Sequence, residues 1–174
     1  MIPDRIFVFG YLGSDADQVA AELAQRLGRP MFSTDRMIES SARMSRPEVL
    51  RQEGESGFRQ RERRAVVSTS TGPPAVVLLG PTAYADRGNR RTVQKAGVSV
   101  FVDASLEECL EGAIEKGLHR PTEEANERFT QQYESRRDDY LEADIVVETF
   151  SRDAGELADE VVQRLEDRVW SETI

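Results

Sequence analysis

Short apolar runs alternate with longer amphipathic segments along this chain. The strand-like runs lie near residues 5–9, 75–79, 98–102 and 144–148, and a weaker one ends at Phe32. The spacing of apolar positions predicts helices over about 16–27, 34–43, 47–68, 86–96, 105–117, 124–140 and 153–169. This alternation predicts an α/β fold, a parallel sheet covered by helices on both faces. Ligands of such sheets bind beyond the carboxyl ends of the strands.

Length and composition bound the possibilities further. The 174 residues, 39% hydrophobic and 32% charged, predict one globular domain over residues 1–170 and a short tail over 171–174. There is no run of 18 apolar residues and no signal-like start, so we expect a cytoplasmic protein. The formal net charge of −9 disfavours nucleic acid and anionic membranes as partners.

The chain has few cysteine and histidine residues that could bind a metal. Its one cysteine, Cys109, excludes an intrachain disulfide, and its one histidine, His119, cannot anchor a histidine cluster. Because Cys109 lies in a helical pattern of apolar residues, we expect a buried thiol there. The sequence assigns no metal site.

The turn after the first strand has the frame of a phosphate-binding loop. Such loops follow the pattern G-x-x-x-x-G-K-[ST] between a strand and a helix. Counted from Gly10, the second glycine falls at Asp15, the lysine at Ala16 and the hydroxyl residue at Asp17. Gly10 and Gly13 are present, but the second glycine, the lysine and the hydroxyl residue of the pattern are all replaced.

These replacements change the chemistry of the loop. The glycine lets backbone N–H groups surround phosphate oxygens, the lysine supplies positive charge, and the hydroxyl holds Mg²⁺. A carboxylate about 4 Å from a phosphate charge costs roughly 4 kcal/mol at an effective dielectric constant near 20. Asp15 and Asp17 holding a metal ion would offset part of that repulsion. An ordinary strand–helix turn, capped by Ser14 or Asp15, is the alternative.

Motifs elsewhere in the chain carry a family resemblance. The segment 54–62 matches a G-E-x-x-F-R-x-x-E run at all five fixed positions, and the segment 32–39 matches F-x-D-x-D-x-x-I-E except at Ser33. Gly10 to Gly13 is similar to G-F-M-G, Arg120-Pro121 matches R-P, and Arg136 with Tyr140 matches R-x-P-L-Y. Over nearly its whole length the chain resembles shikimate kinases. The resemblance implies a P-loop-kinase-like fold, with a five-stranded parallel sheet, substrate-binding helices and a lid segment.

The same resemblance implies a function and a set of site residues. Shikimate kinases transfer the γ-phosphate of ATP to the 3-hydroxyl of shikimate, with Mg²⁺. By resemblance, Asp35 contacts substrate hydroxyls, Arg59 and Arg136 bind the substrate carboxylate, and Arg120 comes down with the lid. By the same resemblance, Gly80 keeps one glycine of a G-G-G turn that follows a strand, and we expect it to take part in substrate binding. Two guanidinium groups converging on a small carboxylate also make chemical sense unaided, because they form bidentate, charge-assisted hydrogen bonds.

The departures from the family pattern cluster on the nucleotide side. Ser33 replaces an aspartate that helps to hold Mg²⁺, Pro81 interrupts the glycine turn and has no N–H to offer, and Ala113 stands where a second lid-side arginine is usual. The residues alone also permit plainer interpretations. Arg59 can belong to a solvated basic helix face, and Asp35 can be a first-turn residue behind an N-cap at Ser33 or Thr34.

Three hypotheses follow. The leading one is a non-catalytic relative of shikimate kinases that binds shikimate or a related hydroxy acid, or acts as a regulatory protein, without a cofactor. The first alternative is an active ATP-dependent shikimate kinase with an atypical phosphate loop, which requires ATP and Mg²⁺. The second is an interaction scaffold that has no small-molecule site and recognises an unknown protein partner.

Overall fold

A five-stranded parallel sheet forms the centre of the molecule in the computed structural model, which describes residues 1–172. Its strands are β1 (Arg5–Gly10), β2 (Met31–Ser33), β3 (Ala75–Leu78), β4 (Val98–Asp103) and β5 (Ile145–Glu148). They are arranged in the order β2-β3-β1-β4-β5, and every pairing is parallel. The predicted fold class is confirmed, and β1, which leads into the phosphate loop, is the central strand.

The helices connect the strands as predicted. They are α1 (Ala16–Leu27), α2 (Thr34–Ala42), α3 (Arg46–Thr69), α4 (Arg87–Ala96), α5 (Leu106–Glu115), α6 (Glu123–Tyr140) and α7 (Ala154–Glu172). A short 3₁₀ helix at Ala83–Ala85 has no counterpart in the sequence prediction. Because α7 continues to residue 172, residues 171–172 of the predicted tail are helical, and residues 173–174 lie outside the described part.

The two faces of the sheet bury different side chains. Ile6 and Val8 of β1 pack with α1 and α7 in an aliphatic core. Phe7 and Phe9 point to the other face and pack with α4, α5 and α6 in an aromatic core. Burial on both faces explains why β1 is a continuous apolar run rather than an alternating one. Within residues 1–172, no helix combines the length and the apolar character needed to cross a membrane.

Helices α2 and α3 form a separate layer beside the carboxyl ends of the strands. They pack on each other through a third apolar cluster that includes Ile38, Val49 and Phe58. Helix α3 is broken at Gly54, where φ is 71° and ψ is −179°, a backbone conformation essentially restricted to glycine. The break separates residues 46–53 from residues 55–69, so the two segments take different directions beside the cavity.

Candidate functional site

One cavity of about 630 Å³ lies beyond the carboxyl ends of β1, β2 and β3. The phosphate loop forms one side of this cavity, and α2, α3 and α6 contribute the other. The cavity brings together four predicted substrate-binding residues, namely Asp35, Arg59, Gly80 and Arg136. Arg120 is exposed, in the segment between α5 and α6, and does not line the cavity.

Arg59 is held in place by a buried carboxylate. Glu62 is completely buried, and its Oε1 accepts a hydrogen bond from Arg59 Nη1 at 2.9 Å. Its Oε2 accepts a hydrogen bond from the Thr82 hydroxyl at 2.7 Å. Arg59 Nη2 also lies 3.7 Å from Glu55 Oε1. Arg59 is therefore a half-buried, oriented cavity residue rather than a member of a solvated basic face.

Arg136 approaches the cavity from α6. Its guanidinium lies 5.8 Å from the centroid of the Tyr11 ring, and among the described residues it has no carboxylate partner. Tyr11 is itself buried, and edge-on contacts with Phe129 and Tyr133 fix its ring. Burial raises the pKa of Tyr11 to about 12, so the phenol stays neutral beside the guanidinium. Arg136 thus retains a positive charge that no acid of the described chain compensates.

Asp35 lies in the first turn of α2, behind the N-cap residue Ser33, whose side chain accepts a hydrogen bond from the Arg36 N–H at 3.3 Å. The first-turn interpretation is thus confirmed, and Asp35 lines the cavity as well. Burial raises the pKa of its carboxyl group, and the opposing effect of Arg46 is smaller. Asp35 Oδ1 is buried without a hydrogen-bond partner among the described residues.

Gly80 lies directly against that carboxylate. A Cβ at Gly80 would come within 2.2 Å of Asp35 Oδ1, so only glycine fits here without displacing the aspartate. The Gly80 N–H donates a hydrogen bond to Thr34 Oγ1 at 2.9 Å. The residue therefore lines the cavity as predicted, but its N–H is already engaged within the protein. Its neighbour Pro81 offers no N–H, and the Pro81 carbonyl accepts a hydrogen bond from the Tyr140 hydroxyl.

Sequence reasoning missed Arg46, the first residue of α3. Its Nη1 donates to Asp35 Oδ2 at 3.1 Å, and its Nη2 donates to Thr82 Oγ1 at 3.3 Å. The guanidinium also lies 4.8 Å from the centroid of the Phe58 ring. The only local signal was a helix start, because Ser45 and Glu48 have capping-box spacing. Nothing in that pattern indicates that the arginine between them faces a cavity.

The phosphate loop has acids where the family pattern places a glycine and a hydroxyl residue. Asp15 takes the N-cap position of α1, but its side chain makes no capping hydrogen bond, so the predicted capping role of this side chain is wrong. Ser14 likewise makes no capping bond, and its N–H donates to the Tyr11 carbonyl in a turn. Ala16 is buried in the aliphatic core. Negative charge in this first turn is favourable for the helix itself, because it faces the positive end of the helix dipole.

A lysine from another element compensates these acids. Lys116 Nζ donates to the Ser14 carbonyl at 3.0 Å and lies 3.7 Å and 3.8 Å from Oδ1 of Asp15 and of Asp17. Within the described residues 1–172, no three candidate metal ligands are grouped closely enough to hold an ion. Asp15 and Asp17 are therefore arranged around an ammonium group.

Two glycines explain why Lys116 reaches the loop. A Cβ at Gly13, where φ is +87°, would lie 1.9 Å from the Cys109 carbonyl oxygen of α5. A Cβ at Gly112 would lie 2.1 Å from the Gly13 carbonyl oxygen. The loop backbone thus rests directly on α5, and Lys116 follows one turn later. Ala113, which stands in the place of a lid-side arginine, is buried in the aromatic core and does not line the cavity.

Cys109 is buried in the aromatic core, as the helical pattern predicted. Burial raises the pKa of its thiol to about 12. A thiol with so high a pKa remains protonated near neutral pH and is a poor nucleophile. Cys109 therefore contributes packing rather than chemistry.

Comparison with known proteins gives one consistent family. The family model described as shikimate kinase matches residues 17–166. A shikimate kinase of Ruegeria pomeroyi is 36% identical over 144 residues, 82% of this chain and 74% of the relative. A shikimate kinase of Symbiobacterium thermophilum is 35% identical over 116 residues, 67% of each chain.

A solved structure agrees over almost the whole chain. The shikimate kinase from Acinetobacter baumannii in complex with shikimate superposes with a TM-score of 0.89 at 26% identity, and 97% of this chain and 95% of that chain are covered. The sheet order, the helices beside the cavity and the family match therefore lead to one assignment. The chain belongs to the shikimate kinase family.

Proposed function

We propose that this chain binds shikimate or a related small hydroxy acid in the cavity and, with its present phosphate loop, does not phosphorylate it. The observation that carries the proposal is the contrast between the two ends of one cavity. One end, called the acid end here because it would bind the ligand's carboxylate, is lined by Arg59 and Arg136. At the other end, the phosphate loop has two carboxylates, and the lysine beside them is already paired with both.

The acid end is suited to a carboxylate. Arg136 has no acidic partner among the described residues, and Glu62 orients Arg59 from below the cavity. An incoming carboxylate can accept charge-assisted hydrogen bonds from both guanidinium groups. The Acinetobacter baumannii relative was solved with shikimate, which makes this compound the first ligand to test.

The loop residues do not fit a nucleoside triphosphate. Asp15 and Asp17 outnumber Lys116, so the loop has a net negative charge where the phosphates would lie. Each carboxylate about 4 Å from a phosphate charge costs roughly 4 kcal/mol at an effective dielectric constant near 20. Ser33 caps α2 and Pro81 has no N–H, so neither compensates. The proposal therefore includes no ATP, no Mg²⁺ and no phosphoryl transfer.

An active ATP-dependent shikimate kinase is the second candidate. The relatives in the sequence comparison are named shikimate kinase, which favours this activity over a loss of function. The position of Lys116 is the structural observation in its favour, because a cation already lies 3.0 Å from the loop carbonyl of Ser14. For this candidate, Lys116 would have to leave its two acids when the nucleotide arrives.

Calorimetric titration of shikimate, with and without MgATP, tests the proposal, together with an assay for phosphorylated product. We expect binding of equal affinity in both titrations and no product. Arg136→Ala should abolish the binding, whereas Arg128→Ala, an exposed arginine of the same helix, should not. Product formation would favour the kinase, and absence of binding to any cavity ligand would favour the interaction scaffold.

A further inference from the structure

We infer that Arg46 determines which acids the cavity accepts, and that the preferred ligand has a second anionic group in addition to its carboxylate. This inference rests on the proposed function, since it takes Arg59 and Arg136 as the carboxylate-binding residues. It concerns the neighbouring part of the cavity, where Arg46, Asp35 and Thr82 meet. Arg46 and Arg59 lie 4.8 Å and 6.0 Å from the centroid of the same Phe58 ring, so one ligand can contact both guanidinium groups.

The position of Arg46 is well determined by its surroundings. It is the first residue of α3, and the helix start is fixed because Glu48 Oε2 accepts a hydrogen bond from the Ser45 N–H at 2.7 Å. The guanidinium packs 4.8 Å from the Phe58 ring centroid, within the range of a cation–π contact. Its hydrogen bonds to Asp35 and Thr82 complete the arrangement. Arg46 is thus held over the cavity rather than extended into solvent.

Arg46 reduces the hydroxyl-accepting capacity of Asp35. Oδ2 of Asp35 is engaged by Arg46, and Oδ1 is buried against Gly80, without space for a ligand atom. The Thr82 hydroxyl is also used, because it donates to Glu62 and accepts from Arg46. A ligand hydroxyl at this place therefore competes with Arg46 for Oδ2 of Asp35 and meets a Thr82 hydroxyl that already makes two hydrogen bonds.

The same place offers hydrogen-bond donors instead. A guanidinium has five N–H groups, and Arg46 uses only some of them on Asp35 and Thr82. A phosphate ester or a second carboxylate supplies charged acceptor oxygens for the remaining donors, and such charge-assisted bonds are about twice as strong as neutral ones. The acid Glu39, which also lines this side, is exposed, so solvent screens its repulsion. The geometry therefore favours a dianionic ligand.

The test compares shikimate with shikimate 3-phosphate, which differs by one anionic group. Both are titrated calorimetrically into the wild-type protein, Arg46→Leu, Arg46→Gln and the control Arg51→Leu, an exposed arginine of the same helix. We expect the wild type and the control to bind the phosphate ester about tenfold or more tightly than shikimate. Arg46→Leu should lose this preference and bind shikimate more tightly than the wild type, because Asp35 becomes free to accept hydroxyl groups.

The outcomes separate this inference from the proposed function. Equal affinities for the two ligands in the wild type, or an unchanged preference in Arg46→Leu, would overturn the role of Arg46 and leave acid binding intact. Absence of binding of either ligand to the wild type would overturn both. Thermal unfolding of each variant checks the fold. If Arg46→Leu unfolds, Arg46→Gln decides, since it removes the charge and keeps a polar, though shorter, side chain.

Discussion

Single side chains in this cavity do two tasks at once, and Arg59 is the clearest case. Its guanidinium faces the cavity and also neutralises Glu62, which is completely buried. A buried carboxylate that loses its cation is strongly destabilising, because the remaining charge is neither solvated nor paired. Arg136 is not paired with a buried acid among the described residues; it contacts the Tyr11 ring and the Tyr140 hydroxyl, so its positive charge is available to a ligand. The two arginines are chemically alike and should respond differently to mutation.

Replacement of each arginine by alanine makes this difference measurable. Arg59→Ala should lower the free energy of unfolding by about 3 kcal/mol and also weaken shikimate binding. Arg136→Ala should weaken binding at least as strongly, with a smaller change in unfolding free energy, about 1 kcal/mol, from the lost contact with the Tyr11 ring. Urea unfolding and calorimetry on the same preparations provide both values. A double variant with Glu62→Gln should recover part of the stability lost in Arg59→Ala, and equal stabilities of the two single variants would contradict the argument.

At the scale of elements, the break in α3 links the backbone to the cavity. Gly54 has φ 71° and ψ −179°, and nothing lies within 4 Å of a Cβ placed there, so the penalty for a side chain is conformational rather than steric. Gly54→Ala should therefore reduce the free energy of unfolding by about 1–3 kcal/mol. Arg51→Ala, at an exposed position with helical backbone in the first segment of α3, is the control and should not show this loss. Chemical denaturation of both variants tests the prediction, and equal effects would contradict it.

The phosphate loop is the second element with a direct test. Asp15→Gly, Ala16→Lys and Asp17→Ser together remove both carboxylates, add a cation and release Lys116 from its partners. We expect MgATP binding to become measurable in this triple variant, with little turnover while Ser33 and Pro81 remain. Ala16→Lys alone is the control, because both acids stay in place and should keep nucleotide affinity low. An unchanged MgATP affinity in the triple variant would show that the obstacle lies elsewhere in the cavity.

The elements were predictable from the sequence because their signals are local. Apolar runs and helical spacing depend on neighbouring residues, and the fixed motif positions placed Asp35, Arg59 and Arg136 in one site. The roles of Arg46 and Lys116 in the cavity were not predictable, since Arg46 bonds to Thr82, 36 residues away, and Lys116 bonds to Ser14, 102 residues away. Lys116 contacts a loop about a hundred residues away, and only the Gly13–Gly112 approach brings the two together. The N–H of Gly80 is a further example, because its hydrogen-bond partner Thr34 lies 46 residues away and is brought near by the pairing of β2 with β3.

At the scale of the whole molecule, the ends of one cavity are connected through the central strand. β1 leads into the phosphate loop, and its aromatic face packs on α6, which presents Arg136. Phe9 stacks on Tyr84 at a centroid distance of 4.1 Å and contacts Tyr140 edge-on at 5.3 Å. This aromatic core fixes the distance between the acid end of the cavity and the phosphate loop. The positions of both ends therefore depend on the packing of the same core. It also buries several groups that ionise at high pH.

Those groups predict how stability depends on pH. Burial raises the pKa values of Cys109, Tyr11 and Tyr140 to about 12 in the folded protein. In the unfolded chain the pKa values are the ordinary ones, 9.0 for the thiol and 10.0 for the phenols. In the pH range between the ordinary and the raised pKa values, the unfolded chain loses protons that the folded chain keeps. The free energy of unfolding should therefore be unaffected by these groups below about pH 9 and fall above it, by up to about 1.4 kcal/mol per pH unit for each group.

Urea unfolding at pH 8.0, about 9.5 and about 10.5 measures the slope. Tyr11→Phe removes one titrating hydroxyl from the core and should reduce that slope by about half a proton between about pH 9.5 and about pH 10.5, because the phenol of the unfolded chain is half-ionised at its ordinary pKa of 10.0. The exposed variant Arg51→Leu should leave the slope unchanged. A free energy of unfolding that stays constant up to about pH 10.5 would contradict the burial of these groups as the source of alkaline sensitivity.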